Sequence, residues 1–128
     1  MTKKFEMIYI QTKNTKNETV ALVSFDRINA FSSTNGTCEI WLADLGEPVF
    51  FDGNLEIMVL ENPDGWVKFN DEFGQFIYFR KSSISSAVAN GEHRSVLYFD
   101  GWDEGLPVFD AIEHVGAILN QNNNILEN

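Results

Sequence analysis

Apolar residues along this chain cluster in short runs separated by polar, glycine-bearing turns, a spacing that predicts many short strands rather than helices. Phe5 to Gln11 alternates loosely and is expected as a strand, with the polar stretch Thr12 to Glu18 looping after it. Thr19 to Asp26 is rich in β-branched and apolar residues, and Ile28 to Phe31 is expected to continue it past a bulge. Asn35-Gly36 is the strongest hairpin signal, because both residues tolerate the positive φ of a type I′ turn. Strands at Cys38 to Ala43 and Pro48 to Phe51 follow, joined by an Asp44-Leu45-Gly46 turn.

Leu55 to Leu60 is too short for its period to separate a buried strand from a helix. Asn62-Pro63-Asp64-Gly65 is an explicit turn, since proline disfavours helix at the residue before it. Trp66 to Phe69 and Gln75 to Arg80 form one predicted hairpin. Ile84 to Val88 and Arg94 to Phe99 form another, across Asn90-Gly91. After a short strand at Leu106 to Phe109 comes the one clear helix. Asp110 stands at its expected N-cap with Glu113 at capping-box spacing, and Ile112, Val115, Ile118 and Leu119 mark one apolar face.

The fold class expected from this pattern is α+β, predominantly antiparallel β, with hairpin-joined strands and one C-terminal helix. Residues 1–119 form a single domain, and 120–128 form a polar tail. The order of signals also repeats. From about 25 to 60 and again from about 79 to 119 the chain runs strand, Asn-Gly turn, apolar strand, acidic turn and Gly-x-Pro-Val-Phe (Gly46 to Phe50, Gly105 to Phe109). An internal duplication accounts for this, and so does ordinary reuse of turn-to-strand chemistry. A duplication would make Asp52 to Leu60 helical, against its local pattern.

Composition narrows the picture. A 128-residue length suits one core, and the 44% apolar content argues that the high charge does not mean disorder. Cys38 is the only cysteine, so no intrachain disulfide forms, and its apolar run predicts a buried thiol. Met1 to Gln11 holds no long apolar stretch, so neither a signal peptide nor a membrane span is expected there, and a cytoplasmic location is the default.

Charge is the most informative feature. The chain carries 19 acidic residues against 9 basic ones. Between Glu39 and Glu72 nine acids meet Lys68 alone, a local balance of −8, and between Glu92 and Glu113 six meet Arg94 alone, a balance of −5. Such a field repels nucleic acid and anionic membrane and speeds encounter with a basic protein. Phe73, Phe76, Tyr78 and Phe79 beside Arg80 and Lys81 imitate a stacking platform, but the net charge of −10 favours reading them as core.

No catalytic or metal signature accompanies the acids. Asp100-Gly101-Trp102-Asp103-Glu104-Gly105 fails the calcium-loop pattern, because Trp102 stands at the second ligand position. His93 and His114 are isolated from each other and from Cys38, so zinc is not expected, and Asp110 with His114 has the spacing of a helix-stabilising pair. No Gly-x-Ser-x-Gly elbow or phosphate loop occurs.

The expectation is a small, acidic, non-enzymatic binding protein without cofactor. It would be a monomer or homodimer and would neutralise a basic, nucleic-acid-handling protein, as immunity or anti-defence proteins do. The expected contact residues are Asp64, Trp66, Asp71, Glu72, Asp100, Trp102, Asp103 and Glu104, with the two tryptophans as exposed anchors. The alternatives are an assembly protein whose acidity only confers solubility, and a small enzyme using Asp103, Glu104 or His114.

Overall fold

The computed structural model describes residues 9–13, 20–34, 36–43, 48–53, 55–61, 64–99 and 101–121. Its elements are β1 (Tyr9–Lys13), β2 (Val20–Ser24), β3 (Ile28–Thr34), β4 (Thr37–Leu42), β5 (Val49–Asp52), α1 (Glu56–Glu61), β6 (Trp66–Asn70), β7 (Phe76–Arg80), β8 (Ile84–Ala89), β9 (Ser95–Phe99), β10 (Leu106–Val108) and α2 (Ile112–Leu119). A seven-stranded sheet has the order β2-β1-β5-β4-β3-β7-β6, and a three-stranded sheet has the order β10-β9-β8. Every strand pair is antiparallel, as the hairpin signals predict.

Strands β3, β4, β6 and β7 bury residues on both faces of the larger sheet, which explains their density of apolar residues. One core gathers Ile28, Phe31, Cys38, Ile40, Val49, Leu55, Val59, Trp66 and Tyr78. The other gathers Ala30, Trp41, Val67, Phe69, Ile77 and Phe79 with Leu97, Phe99, Val108 and Val115 of the smaller sheet and α2. Each core receives one helix, α1 in the first and α2 in the second, while the β3–β4 hairpin contributes to both. The alternation along β6 divides Trp66 from Val67 and Phe69 in this way, as a two-residue period requires.

One open segment is decided and two expectations change. Leu55 to Leu60, too short to assign from its period, leads into α1 (Glu56–Glu61), which brings Leu55 and Val59 into the first core one turn apart, with Val59 N–H bonding the Leu55 carbonyl at 3.3 Å. Ile28 does not extend β2. A 3-10 turn at Phe25–Arg27 intervenes, and Ile28 begins a strand elsewhere in the same sheet. Asp110 does not cap α2: Ala111 holds the N-cap position, with no side-chain cap bond. The Asp110 carboxylate instead accepts from Asn70 N–H at 2.8 Å and Asn70 Nδ2 at 3.0 Å, far away in sequence. Residues 1–8, 14–19, 44–47 and 122–128, which include much of the first strand, the first loop, the Asp44 turn and the polar tail expected from the sequence, lie outside the described residues.

Several local devices occur twice. The 3-10 turns Phe25–Arg27 and Lys81–Ser83 are each closed by an isoleucine N–H, of Ile28 and of Ile84. The β3–β4 ladder slips between Ile28 and Ala30, and the β8–β9 ladder slips between Ile84 and Ser86. Cys38 Sγ, early in β4, donates to Gly53 O at 3.3 Å, and Ser95 Oγ, at the start of β9, donates to Asp110 O at 2.8 Å. The Gly-x-Pro-Val-Phe strings, however, are out of step. Ile40 opposes Val49 and Leu97 opposes Leu106, so Val49 matches Leu106 rather than Val108.

Candidate partner-binding rims

The expected contact residues fall on opposite rims of the larger sheet, separated by the length of β6, about 13 Å for a five-residue strand. Asp64 and Trp66 stand at the first end of β6, and the Trp102 loop with Asp103 and Glu104 stands on the same rim of the sheet at the end of β4, three strands across; Asp71 and Glu72 follow the last residue of β6. Asp100 lies outside the described residues.

At the first end the acids are surface groups and the tryptophans are not. Asp64, Asp103 and Glu104 are exposed. Trp66 is only 2% exposed, with its ring 5.6 Å from Phe25 and 5.5 Å from Phe31. The Arg80 guanidinium lies 4.6 Å from the Trp66 ring and donates to the carbonyls of Ile28 at 2.9 Å and Phe25 at 2.8 Å. Burial lowers the Arg80 pKa, and Asp26 opposes that shift. Trp102 is half-buried: its ring packs 5.9 Å from Phe99, and Nε1 donates to Leu42 O at 2.6 Å. That bond holds the acidic loop against the end of β4. Gly101 lets the chain approach so closely, since a Cβ there would collide with the Ala43 carbonyl and its φ is +87°. The sequence signal of Trp beside Gly in an acidic turn thus marks internal anchoring of the turn, not an exposed anchor.

At the last end two of the three exposed aromatics, Phe73 and Phe76, are ones the sequence pattern assigns to the core. Phe73 is 79% exposed at the tip of the β6–β7 hairpin, and Phe76 and Phe109 are each 40% exposed, whereas Tyr78 and Phe79 are buried as expected. Asp71 fixes this tip, its Oδ1 accepting from the N–H groups of Phe73 and Gln75, both at 2.8 Å. Asp71 therefore serves the turn, while Glu72 beside it is exposed. The hairpin's position had a sequence signal; the outward direction of Phe73 had none, because a turn residue has no strand period to follow.

A groove of about 290 Å³ runs between β6 and α2, lined by Lys68, Asn70, Phe76, Asp110, His114 and Ile118 among others. Lys68 Nζ sits 4.2 Å from the Phe76 ring, and His114 Nε2 lies 3.6 Å from Asp110 Oδ1, so the expected i, i+4 pair meets although Asp110 precedes the helix. Asp103 and Glu104 line a separate depression of about 260 Å³. The groups suggested for an enzyme are thus divided between two places. Among the described residues no three His, Cys, Asp or Glu side chains gather as a metal site, and no helix is long and apolar enough to cross a membrane.

Glu39, on β4 between Ser32 and Phe50, is half-buried, and burial raises its pKa above the usual value. A carboxyl with a raised folded-state pKa favours folding below its unfolded pKa and loses that contribution as pH climbs through the folded value. Glu39→Gln is therefore expected to raise stability in urea at pH 7 by under about 1 kcal/mol after solvent screening, and to leave it unchanged near pH 3. A stability that falls at pH 7 would contradict the burial.

No protein-family model matches the chain, and no curated protein matches it.

Proposed function

We propose that this is a non-catalytic binding protein that meets a basic protein partner through the acidic turns at the ends of its sheets. The carrying observation is the preset hairpin tip: Phe73 stands 79% exposed on a turn held by Asp71, with Glu72 exposed beside it. An aromatic presented on a rigid turn loses little freedom on docking, and neighbouring carboxylates steer a cationic surface toward it. Charge supports the same reading. Among the residues whose exposure is described, nine acids are exposed against three bases, Arg27, Lys68 and Arg94. Arg80 and Lys81 are turned to internal carbonyls of Ile28, Phe25 and Gln121. A partner that grips phosphates with lysine and arginine has the complementary chemistry, so neutralising a nucleic-acid-handling protein is the role this surface fits.

The chain also reads as two related halves, about 25–60 and 79–119 by the sequence signals. Extended to the flanking strands, the halves share the order strand, strand, 3-10 turn, three strands, helix. The paired 3-10 turns, the paired bulges and the matching Cys38 and Ser95 bonds recur at nearly the same offset along the chain, which supports a duplication. Shared reuse of turn chemistry accounts less readily for ladder slips at matching places.

The test is capture of host proteins on the immobilised full chain, in parallel with Phe73→Ser and Glu72→Lys. A basic protein should be retained at low salt and released as ionic strength rises from about 0.05 M to about 0.5 M. Phe73→Ser should weaken capture about tenfold or more with an unchanged circular dichroism spectrum. Retention indifferent to salt and to both substitutions would overturn the reading.

A further inference from the structure

Four strands end the two sheets, and two of them are guarded. β6 carries Lys68, and its last residue is clasped by Phe109, whose N–H bonds the Asn70 carbonyl at 2.7 Å. β10 leads into that clasp and contains Pro107. The other two, β2 (Val-Ala-Leu-Val-Ser) and β8 (Ile-Ser-Ser-Ala-Val-Ala), have neither a charge nor a proline, the devices that ordinarily keep an edge from accepting a foreign strand. Val88 on β8 is also 52% exposed. Among the described residues no strand pairs with the outer edge of either one.

The correspondence of the halves says what such an edge accepts. β3 is bonded on its outer side by β7, with Ala30 opposite Phe79, Phe31 opposite Tyr78 and Ser32 opposite Ile77. β8 follows the second 3-10 turn as β3 follows the first, and β2 precedes the first turn as β7 precedes the second. Aligning Phe25 with Lys81 and carrying the register across sets Ser86 opposite Val23, Ala87 opposite Leu22 and Val88 opposite Ala21. The backbone of β8 is ready for this ladder. Asn90 N–H bonds the Arg94 carbonyl at 2.9 Å, so by antiparallel alternation Val88 turns its amide to β9 while Ala87 and Ala89 turn theirs outward. The bulge near the start of β8 is no obstacle, because β3 has the same bulge and is paired.

Within one molecule β2 and β8 end different sheets and do not pair. We propose that β8 of one copy takes β2 of a second copy as an antiparallel neighbour, so that the chain self-associates through its two uncharged edges. The proposal rests on the correspondence of the halves and is independent of the acidic surface, which β8 does not contribute to.

Light scattering on the full chain at about 0.1 mM, above the dissociation constant of an ordinary interface, should give at least twice the mass of one chain. Val88→Lys and Ala89→Pro should each return it to single-chain mass with an unchanged circular dichroism spectrum. Val88 and Ala21 would be a close, non-hydrogen-bonded pair, so oxidising a mixture of V88C chains and A21C chains should give the mixed disulfide in excess over either self-pair. A same-chain pair, S32C with I77C, reports the parent β3·β7 register. If that disulfide forms while the mixed one does not, the interface is overturned and the β3·β7 register it was copied from stands. If neither forms, that register falls as well, and with it the ladder derived from it. Single-chain mass for the unaltered protein, or a disulfide that forms only inside a doubly substituted A21C/V88C chain, overturns the second copy as occupant.

Discussion

Trp66→Ala is expected to cost about 3–5 kcal/mol, the range for deleting a fully buried aromatic. The loss has two parts. The indole contributes the ring contacts to Phe25 and Phe31 at the meeting of β6 with the first core. It also covers the Arg80 guanidinium, which holds the carbonyls of Phe25 and Ile28 and so fixes the 3-10 turn that leads into β3. Without the indole, water reaches a cation whose bonds were sheltered, and the turn loosens with the core. Against a typical stability of about 5–15 kcal/mol, such a loss removes a large share of folded protein. Trp66→Phe keeps an aromatic against Phe31 and should cost roughly half as much. Urea titration followed by circular dichroism reads both. The outcome separates two roles for this residue. An exposed binding anchor would lose affinity at an unchanged midpoint, whereas a core residue loses the midpoint; an unchanged midpoint in Trp66→Ala would contradict the burial.

What the sequence made legible depended on whether the deciding contact was local. Turns carry their own chemistry, so Asn35-Gly36, Asn90-Gly91 and the stretch Asn70 to Gly74 all announced hairpins that the ladders bear out. α1 was not legible, because six residues give no clear period and its helical state depends on where Leu55 and Val59 find a core. Asp110 shows the same limit at one residue. Locally it has the spacing of a cap, yet the amide it satisfies belongs to Asn70, brought near only by the packing of two sheets. The assignments of Trp66 and Phe73 were reversed for the same reason. Trp66 begins a strand whose alternation directs it inward, and Phe73 sits on a turn where no alternation applies.

The acidity survives this redistribution with a changed meaning. Two of the eight expected contact residues are anchoring groups of the fold, and Asp71 is committed to its turn. The exposed acids around them remain on opposite rims of the larger sheet, so the negative field is divided rather than concentrated. A partner reading one end would meet Glu72 and Phe73; one reading the other would meet Asp64, Asp103 and Glu104. Salt sensitivity combined with the Phe73→Ser substitution distinguishes the two ends, since only the first presents an exposed aromatic anchor.

Asp110→Ala is expected to cost about 2–4 kcal/mol, because it opens the joint between the two sheets rather than a helix cap. The carboxylate is 7% exposed and accepts from Asn70 N–H and Asn70 Nδ2, with His114 Nε2 3.6 Å away. Together with the Phe109 to Asn70 backbone bond, these contacts tie β10 and the start of α2 to the last residue of β6. Alanine leaves the Asn70 N–H without its acceptor and removes a charge-assisted bond, whereas Asp110→Asn keeps one oxygen for that amide and should cost about half as much. A capping role predicts something different: roughly 1 kcal/mol, confined to fraying of α2. Hydrogen exchange separates the two, since loss of the joint should speed exchange at the Asn70 and Phe109 amides together with those of α2. Faster exchange in α2 alone, with Asn70 still protected, would return Asp110 to the cap that its sequence position suggested.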